Sequence, residues 1–382
     1  MQKSLFFIIF LITTYLILAC APPKEKKPSI THEPEYIWKE VDINWVYSLA
    51  IDTNDSSKIY AATEHGMYKT EDKANIWKEA NHRLYNLNVY SVVVDTKRPG
   101  VLFVGGDGGV FKSTNEGGEW VEKNIGLTNP LVRVLTLNPH NPDRLYAGCF
   151  GAGGLFISNN GGDSWEMIKG ELSALQITSI AISTKEPVKI YVGTWGKGMY
   201  KSEDGGVSWL SVNTGLTNSN IRAIAVDPTD AETVYAGTED GVFKSHDGGQ
   251  SWHLKKNGLL NTYVWTLVID PKQPEIIYAG TWVGGVYKTE DRGEKWKEMN
   301  VGLVNTSVHT LIVDTKESNI IYAGTEGGIF QTIDGGIFWK PKNKGLIQKI
   351  KEKVPPPIPK EKLQKRYKSA PKPEGERHGG GH

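Results

Sequence analysis

Residues 245–252 read SHDGGQSW and residues 202–209 read SEDGGVSW, so both contain the pattern Ser-x-Asp-x-Gly-x-x-Trp. Variants of this segment recur along the chain with a period of about 44 residues, which is the range of repeat architectures. The tryptophans that close them are Trp77, Trp120, Trp165, Trp209, Trp252, Trp296 and Trp339. A second column follows the same period: Tyr60, Phe103, Tyr146, Tyr191, Tyr235, Tyr278 and Tyr322. Two columns with one period predict seven copies of a single unit.

Each unit contains four short strand-like runs separated by turn residues, which in the fifth unit are residues 221–227, 234–238, 241–245 and 252–256. A single four-stranded unit cannot bury both of its faces, so neighbouring units must stack. Radial stacking predicts an all-β fold, a seven-bladed β-propeller of four-stranded antiparallel blades. Two segments compete for the strand that closes the ring, namely residues 38–41 (WKEV) and residues 339–342 (WKPK).

The repeated turn between the third and fourth strands has a structural chemistry. An Asp or Asn oxygen accepts turn N–H groups, Gly supplies a positive φ, and Trp is a large apolar anchor between strands. The predicted acceptors are Asp72, Asn115, Asn160, Asp204, Asp247, Asp291 and Asp334. In the first copy Ala74 replaces the glycine, and we expect Asn75 to take the left-handed conformation there.

These turns resemble those of Asp-box (bacterial neuraminidase repeat) propellers, and the resemblance covers residues 36–346. It is strongest to the seven-bladed group that includes the photosystem II stability and assembly factors, with sortilin-type and xyloglucanase-type propellers as more distant relatives. The photosystem-related group implies an arginine patch that docks assembling membrane proteins. Because the Asp box is a turn motif, the resemblance is specific for the fold and weakly specific for function.

Composition excludes several classes of function. The chain has 44 basic and 43 acidic residues and a formal net charge of +1, which argues against a nucleic-acid partner. Of its two cysteines, Cys20 lies in the leader and Cys149 is expected to be a small buried residue. No motif indicates a cofactor or a metal site, and His378 and His382 at the C-terminal end are read as inert.

The first residues have the pattern of a targeting segment. A run from Leu5 to Leu18 is almost wholly apolar and ends at Ala19-Cys20, which resembles a bacterial lipoprotein box. We therefore expect a signal peptide at 1–19, acylation of Cys20, a lipidated flexible tether at 20–35 and a disordered Lys- and Pro-rich tail at 347–382. This predicts a monomer that is anchored by lipid in the bacterial cell envelope, at the outer membrane or the periplasmic face of the inner membrane.

Two rings of residues vary between units where neighbouring columns do not, and both should converge on one face of a propeller. The first ring, at the start of each inner strand, is Tyr47, Tyr90, Arg133, Thr178, Arg222, Trp265 and His309. The second ring lies between the second and third strands and includes Phe150, Trp195, Trp282 and the acidic residues Glu64, Asp107, Glu239, Asp240 and Glu326. Residues rich in aromatic rings and arginine favour recognition. The predicted binding residues are Tyr47, Tyr90, Arg133, Phe150, Trp195, Arg222, Asp240, Trp265, Trp282 and His309.

The predicted ligand is a protein client, a component of a membrane complex that the chain is expected to assemble or stabilise, and the alternative is a carbohydrate-binding protein or a glycoside hydrolase. Catalysis is not expected. Sialidases, which resemble this chain through their Asp boxes, need three arginines around a carboxylate, and the first ring has only Arg133 and Arg222. Xyloglucanases use two carboxylates in a cleft between two propellers. If the chain were a hydrolase, Asp240 or Asp107 together with Glu239 or Glu326 would be its acid and base across the channel mouth.

Overall fold

The chain is an all-β protein in which four-stranded antiparallel sheets follow one another in sequence order. The computed structural model describes residues 36–43, 45–84 and 88–353. Its seven blades lie in a compact unit that runs from Glu40 to Ile350. The predicted fold class is confirmed. The predictions for residues 1–35 and for the chain after residue 353, including acylation of Cys20, fall outside the described residues.

Strand β1 (Tyr36–Asp42) precedes the blades and β30 (Ile347–Lys353) follows them. Blade 1 consists of β2–β5 (Val46–Ile51, Ile59–Thr63, Gly66–Thr70, Lys78–Glu79), and blade 2 of β6–β9 (Val89–Val94, Leu102–Gly106, Gly109–Ser113, Val121–Glu122). Blade 3 consists of β10–β13 (Val132–Leu137, Leu145–Cys149, Leu155–Ser158, Glu166–Met167), and blade 4 of β14–β17 (Ile177–Ile182, Ile190–Thr194, Met199–Ser202, Leu210–Ser211). Blades 5 to 7 are formed by β18–β21 (Ala223–Val226, Val234–Gly237, Val242–Ser245, His253–Lys255), β22–β25 (Val264–Ile269, Ile277–Thr281, Gly285–Thr289, Lys297–Glu298) and β26–β29 (Val308–Val313, Ile321–Thr325, Gly328–Thr332, Lys340–Pro341). One short 3₁₀ helix, Glu171–Ala174, interrupts the connection between blades 3 and 4. Within the described residues no helix is long and apolar enough to span a membrane.

The second strand of each blade is buried along its whole length, as in Ile277–Thr281. It has a blade on either side, so its sequence reads as a continuous run of apolar and small residues rather than as an alternation. The fourth strand is two or three residues long and largely exposed, as in Lys297–Glu298. A short, charged outer strand leaves little free edge for another chain to pair with.

The Asp-box tryptophans join neighbouring blades rather than strands of one blade, which corrects the expected packing. The indole N–H of Trp120 in blade 2 donates to the carbonyl of Ala80 in blade 1 at 2.8 Å. Trp252 donates to Val212 of the preceding blade in the same way. Trp209 is the exception, because its indole donates to the carbonyl of Gly206 in its own turn.

The ring closes through the same contact. The Trp77 indole of blade 1 donates to the carbonyl of Lys342 in blade 7 at 2.8 Å. Blade 7 is completed by its own fourth strand, Lys340–Pro341, so the segment after Trp339 and not the segment at Trp38 fills that place. Strand β1, which contains Trp38, pairs with β30 in a separate two-stranded sheet.

The C-terminal boundary of the folded region needs a correction. The tail was expected to begin at residue 347, but Ile347–Lys353 is strand β30. The lysine-rich composition of this segment predicts a solvated tail. Lysine does not prevent pairing, because β1 provides the backbone hydrogen-bond partners that a strand needs. Proline, which lacks the N–H donor, first enters at Pro355 and is the better boundary signal.

The Asp-box turns have the expected hydrogen bonds. Oδ1 of Asp204 accepts from the Ser202 hydroxyl at 2.8 Å and from the backbone N–H of Val207 at 3.0 Å. The first copy differs from prediction: Ala74 itself has φ 64°, and Asn75 is outside the left-handed region. Asn75 instead donates from its side chain to the Asp72 carbonyl at 2.6 Å. The turn geometry is thus retained at the position of the missing glycine.

Candidate functional site

A β-bulge places the first variable ring at one mouth of the central channel. In six blades the pairing of the inner strand with its neighbour shifts by one residue at the ring position, as between Val132 and Val134 around Arg133. A bulged residue leaves the ladder and its side chain is re-aimed. In blade 5 the strand begins at Ala223, directly after Arg222. The residues that vary between repeats are therefore those that the strand pairing does not constrain.

The ring residues enclose a cavity of about 330 Å³, within the usual size range of ligand pockets. Its walls are mostly aromatic or cationic: Trp45, Tyr47, Tyr90, Arg133, Phe150, Gln176, Thr178, Arg222, Trp265 and His309. Seven of the predicted binding residues are in this set. Trp195 and Trp282 are exposed at its rim and contact Arg222 and Trp265. Asp240 is exposed and does not line the cavity.

Sequence reasoning missed Trp45, Gln176 and Tyr263. All three belong to one further column, two residues before the first ring: Trp45, Asn88, Leu131, Gln176, Asn220, Tyr263 and Ser307. This column varies between repeats as strongly as the two rings do. The same criterion, variation beside invariant columns, would have found it.

The aromatic rings form an almost continuous arc around the mouth. Tyr90 contacts Phe150 on one side and Tyr47 on the other, with ring centroids 5.4 and 5.2 Å apart. The rings of Trp265 and Trp282 are parallel within 7° at 6.1 Å. Aromatic side chains that already pack against one another lose little conformational entropy when a ligand binds. The arc therefore has the properties of a preformed recognition surface.

Both arginines lie against this arc. The Arg222 guanidinium is 4.1 Å from the centre of the Trp195 ring, and Arg133 is about equally distant from Tyr90 and Phe150, at 5.4 and 5.3 Å. Arg222 also has a carboxylate partner, Glu239, at 3.4 Å. Burial is the main cause that lowers the pKa of Arg133 from its ordinary value.

Two acidic residues of the mouth, Asp107 and Glu239, are engaged with neighbouring side chains. Asp107 accepts from the Tyr90 hydroxyl at 2.8 Å and from the Asn88 amide at 2.7 Å. Glu239 accepts from Tyr263 and Asn220 in addition to Arg222. Burial acts to raise the pKa of Glu239, but these three donors outweigh it and hold the pKa below its ordinary value. A lowered pKa is opposite to the shift that a general acid needs.

The mouth also contains buried nitrogen atoms without hydrogen-bond partners. Of the six such side-chain atoms among the described residues, three are here: Nε of Arg222, Nε1 of Trp265 and Nε2 of His309. Oε1 of Glu326 is 3.5 Å from His309 Nε2, but the two atoms do not form a hydrogen bond. Burial, and after it the charge of Arg133, lowers the pKa of His309 to about 3, so its ring is neutral near pH 7. Buried polar groups are rarely left unpaired unless a ligand or water satisfies them.

Other sites predicted or excluded from sequence can be placed briefly. Cys149 is a free, fully buried thiol, as expected. The described part of the chain has no group of three or more His, Cys, Asp or Glu side chains that could hold a metal ion.

Comparison with known proteins identifies the family. Residues 157–352, just over half of the chain, match the family model of the photosynthesis system II assembly factor YCF48. The chain belongs to the YCF48 family. No curated protein sequence matches it.

Solved structures share the fold at low sequence identity. YCF48 bound to a D1 peptide aligns with a TM-score of 0.60 and 13% identity over 80% of this chain and 99% of its own. YCF48 from Cyanidioschyzon merolae aligns with a TM-score of 0.59 and 14% identity over 77% of this chain and 98% of its own. The GH74 xyloglucanase from Xanthomonas campestris aligns with a TM-score of 0.66 and 19% identity over 81% of this chain. The chain spans only 56% of that enzyme, about half the length of the xyloglucanases that it matches.

Proposed function

We propose that the channel mouth binds an extended segment of a protein client, and that the segment brings a carboxylate to Arg133 and apolar side chains to the aromatic arc. The observation that carries the proposal is a pair of buried donors without partners, Arg222 Nε and Trp265 Nε1, which line one cavity together with the Arg133 guanidinium. A carboxylate accepts charge-assisted hydrogen bonds from such donors. Apolar side chains next to that carboxylate in the client segment would cover the aromatic rings of the mouth.

Family membership supports a protein client over a sugar. The family model is that of an assembly factor, and one aligned YCF48 structure contains a D1 peptide. The client that we propose is a subunit of a membrane complex during its assembly. A preformed mouth needs no catalytic group to bind such a client.

Anchoring is the second part of the proposal. The apolar run Leu5 to Leu18 and the following Ala19-Cys20 favour a lipoprotein that is held at the bacterial envelope by acyl chains on Cys20. A tethered propeller meets membrane-bound clients at a high effective concentration. The intact mass of the mature chain tests this part, because acylation adds the mass of its fatty acids to the peptide that begins at Cys20.

Carbohydrate binding or cleavage is the rival function, and one observation favours it. Trp195 and Trp282 are partly exposed at the rim, and Asp240 is exposed on the loop between the second and third strands of blade 5. Sugar rings stack on such aromatic side chains while acidic groups take their hydroxyls. The lowered pKa of Glu239 weighs against a hydrolase that would use this residue as its acid.

The test uses the full chain to capture proteins from detergent-solubilised envelope membranes. Three forms are compared: wild type, the double variant Arg133→Gln with Trp265→Phe, which we call the mouth variant, and Arg83→Gln as the control. Arg83 is exposed, pairs with Glu119 and does not line the mouth cavity, so its loss makes the same chemical change outside the proposed binding site. We expect captured membrane proteins to fall about tenfold or more with the mouth variant only. Equal capture by all three forms would remove the mouth as the binding site.

Carbohydrate cleavage, the rival function, is tested by incubating the same proteins with a panel of polysaccharides. Release of reducing ends by wild type, lost in Asp240→Ala, would establish a hydrolase instead. No release, together with client loss in the mouth variant, supports the protein-binding function.

A further inference from the structure

Acidic side chains on the loops between the second and third strands differ in how they are held at the channel mouth. Asp107 of blade 2 accepts two side-chain hydrogen bonds, and Glu239 of blade 5 accepts three. In blade 7 the described residues give the carboxylate of Glu326 no hydrogen bond, although its side chain is only 26% exposed. A carboxylate has about four acceptor positions. Glu326 therefore has unused acceptor capacity beside the mouth.

The charge of Glu326 is not balanced by its neighbour. The one ion-pair contact that the described residues offer it is His309, whose Nε2 atom is 3.5 Å from Glu326 Oε1. Burial, and after it the charge of Arg133, lowers the pKa of His309 to about 3, so near pH 7 the ring is neutral. A partly buried carboxylate is stabilised by an opposite charge, and none of the described side chains supplies one here.

An aromatic ring contacts the same histidine. The centroid of the Trp45 ring is 5.2 Å from that of His309, and Trp45 is 37% exposed. Carboxylate oxygens and exposed indole faces both attract a cationic side chain, the first through charge-assisted hydrogen bonds and the second through cation–π contacts. We call Glu326, His309 and Trp45 the acidic subsite.

Arg133 and the acidic subsite belong to opposite sides of the ring of blades. Arg133 is in blade 3 and Glu326 follows the second strand of blade 7, so two blades separate them in one direction and three in the other. This is the widest separation that a closed ring of seven blades allows. His309 of the acidic subsite and Arg133 line the same cavity. The mouth therefore has a cationic group on one side of this cavity and an acidic group on the other.

We propose that the client segment carries a lysine or arginine side chain that binds at the acidic subsite, together with the carboxylate that binds at Arg133. Such a side chain would supply the charge that Glu326 lacks and would pack against the Trp45 ring. A segment laid across the mouth in the reverse direction would bring like charges together, so the two groups also fix its direction. The inference rests on the proposed function, since it adds a second contact to the same bound segment.

The test selects random peptides displayed on phage with the immobilised full chain. Wild type is compared with Glu326→Gln, which keeps the shape of the side chain and removes its charge, and with Glu326→Lys, which reverses the charge. The matched control is Glu298→Gln, because Glu298 is exposed on the two-residue outer strand of blade 6 and does not line the mouth cavity. The mouth variant is selected in parallel.

We expect wild type and Glu298→Gln to enrich peptides that contain an acidic residue and a lysine or arginine at a constant spacing. Glu326→Gln should retain the acidic residue and lose the preference for the basic one, and Glu326→Lys should select a second acidic residue in its place. A wild-type selection without a basic preference, or the same preference in Glu326→Gln, would overturn the inference. The retained acidic preference shows that Glu326→Gln is folded, so this variant decides even if Glu326→Lys does not fold.

The affinity of one selected peptide measures the contact. The peptide is synthesised with its basic residue or with glutamine in that place, and binding is followed by fluorescence anisotropy. With wild type we expect the exchange to raise Kd about fivefold or more, and with Glu326→Gln about twofold or less, because the two groups act as a pair. Losses of equal size with both proteins would show that the basic residue binds elsewhere, which overturns the acidic subsite.

The mouth variant separates this inference from the proposed function. If it enriches the same peptides as wild type, or if wild type enriches none, the mouth is not the binding site and both proposals fall. If the acidic preference of wild type disappears in the mouth variant but no basic preference exists, the proposed function stands and the acidic subsite is wrong.

Discussion

The rings of Trp265 and His309 lie 4.4 Å apart at the channel mouth, and each has a buried ring nitrogen without a hydrogen-bond partner. A structural filler of the channel would not need these nitrogens, because phenylalanine has the same flat shape without the polar atom. Two such atoms in contact rings indicate that the mouth is shaped for a ligand that accepts hydrogen bonds.

The cost of an unpartnered nitrogen can be measured at His309. Because its side chain is almost fully buried, we expect His309→Phe to raise the free energy of unfolding by about 1 kcal/mol, since the desolvation cost of the nitrogen disappears. Urea denaturation with an unchanged m-value checks this. The control is His140→Phe: His140 Nε2 is 3.1 Å from the Ser183 carbonyl, so this variant should lose stability. A His309→Phe protein that is less stable than wild type would argue for a hidden structural role.

The pH dependence of stability follows from the same residue. The folded pKa of His309 is about 3, below the ordinary value of 6.5, so between these values the unfolded chain binds a proton that the folded chain does not. Stability therefore falls as the pH drops through this window, by up to about 1.4 kcal/mol per pH unit. Carboxylates titrate in the same range, so the measured quantity is wild type minus His309→Phe. A difference that is flat from pH 7 to pH 4 would contradict the assignment.

Strain at Val283 predicts opposite effects for two exchanges. We expect Val283→Gly to raise the free energy of unfolding by about 0.5–1 kcal/mol, because the left-handed conformation no longer opposes a β-branched side chain. Gly196→Val, in the matching loop of blade 4, should lower it by about 1–2 kcal/mol. Thermal unfolding of both variants decides, and two changes of the same sign would mean that Val283 is not strained.

The repeat period in the sequence is sufficient to predict most of the fold. The columns at Trp120 and Tyr146 set the number of blades, and the variable columns beside them found Arg133, Trp265 and His309. The sequence of one unit does not show contacts with the next blade, so it predicts a tryptophan anchor between strands but not the indole hydrogen bonds between blades. Asparagine tolerates a positive φ better than alanine, which favours Asn75, but Ala74 is at the position where the six other copies of the turn have a glycine with positive φ.

The partner of the indole N–H predicts how much stability is lost when each of two tryptophans is replaced. Trp252 donates across the blade interface to the buried Val212 carbonyl, so Trp252→Phe leaves that carbonyl unpaired and should cost about 1–3 kcal/mol. Trp209 is only half-buried and donates within its own turn, so Trp209→Phe should cost less than 1 kcal/mol by the same rule. Chemical denaturation of the two variants compares them, and equal losses would show that the interface bond has no special weight.

Photocrosslinking in living cells tests the central claim most directly. The crosslinking residue benzoylphenylalanine is placed at Thr178, which lines the mouth, or at Thr229, in the turn between the first and second strands of blade 5 at the opposite end of the channel. We predict a discrete adduct with one membrane protein from position 178 and none from position 229. Adducts from position 229 alone, or the absence of any protein adduct from position 178, would contradict a client-binding mouth.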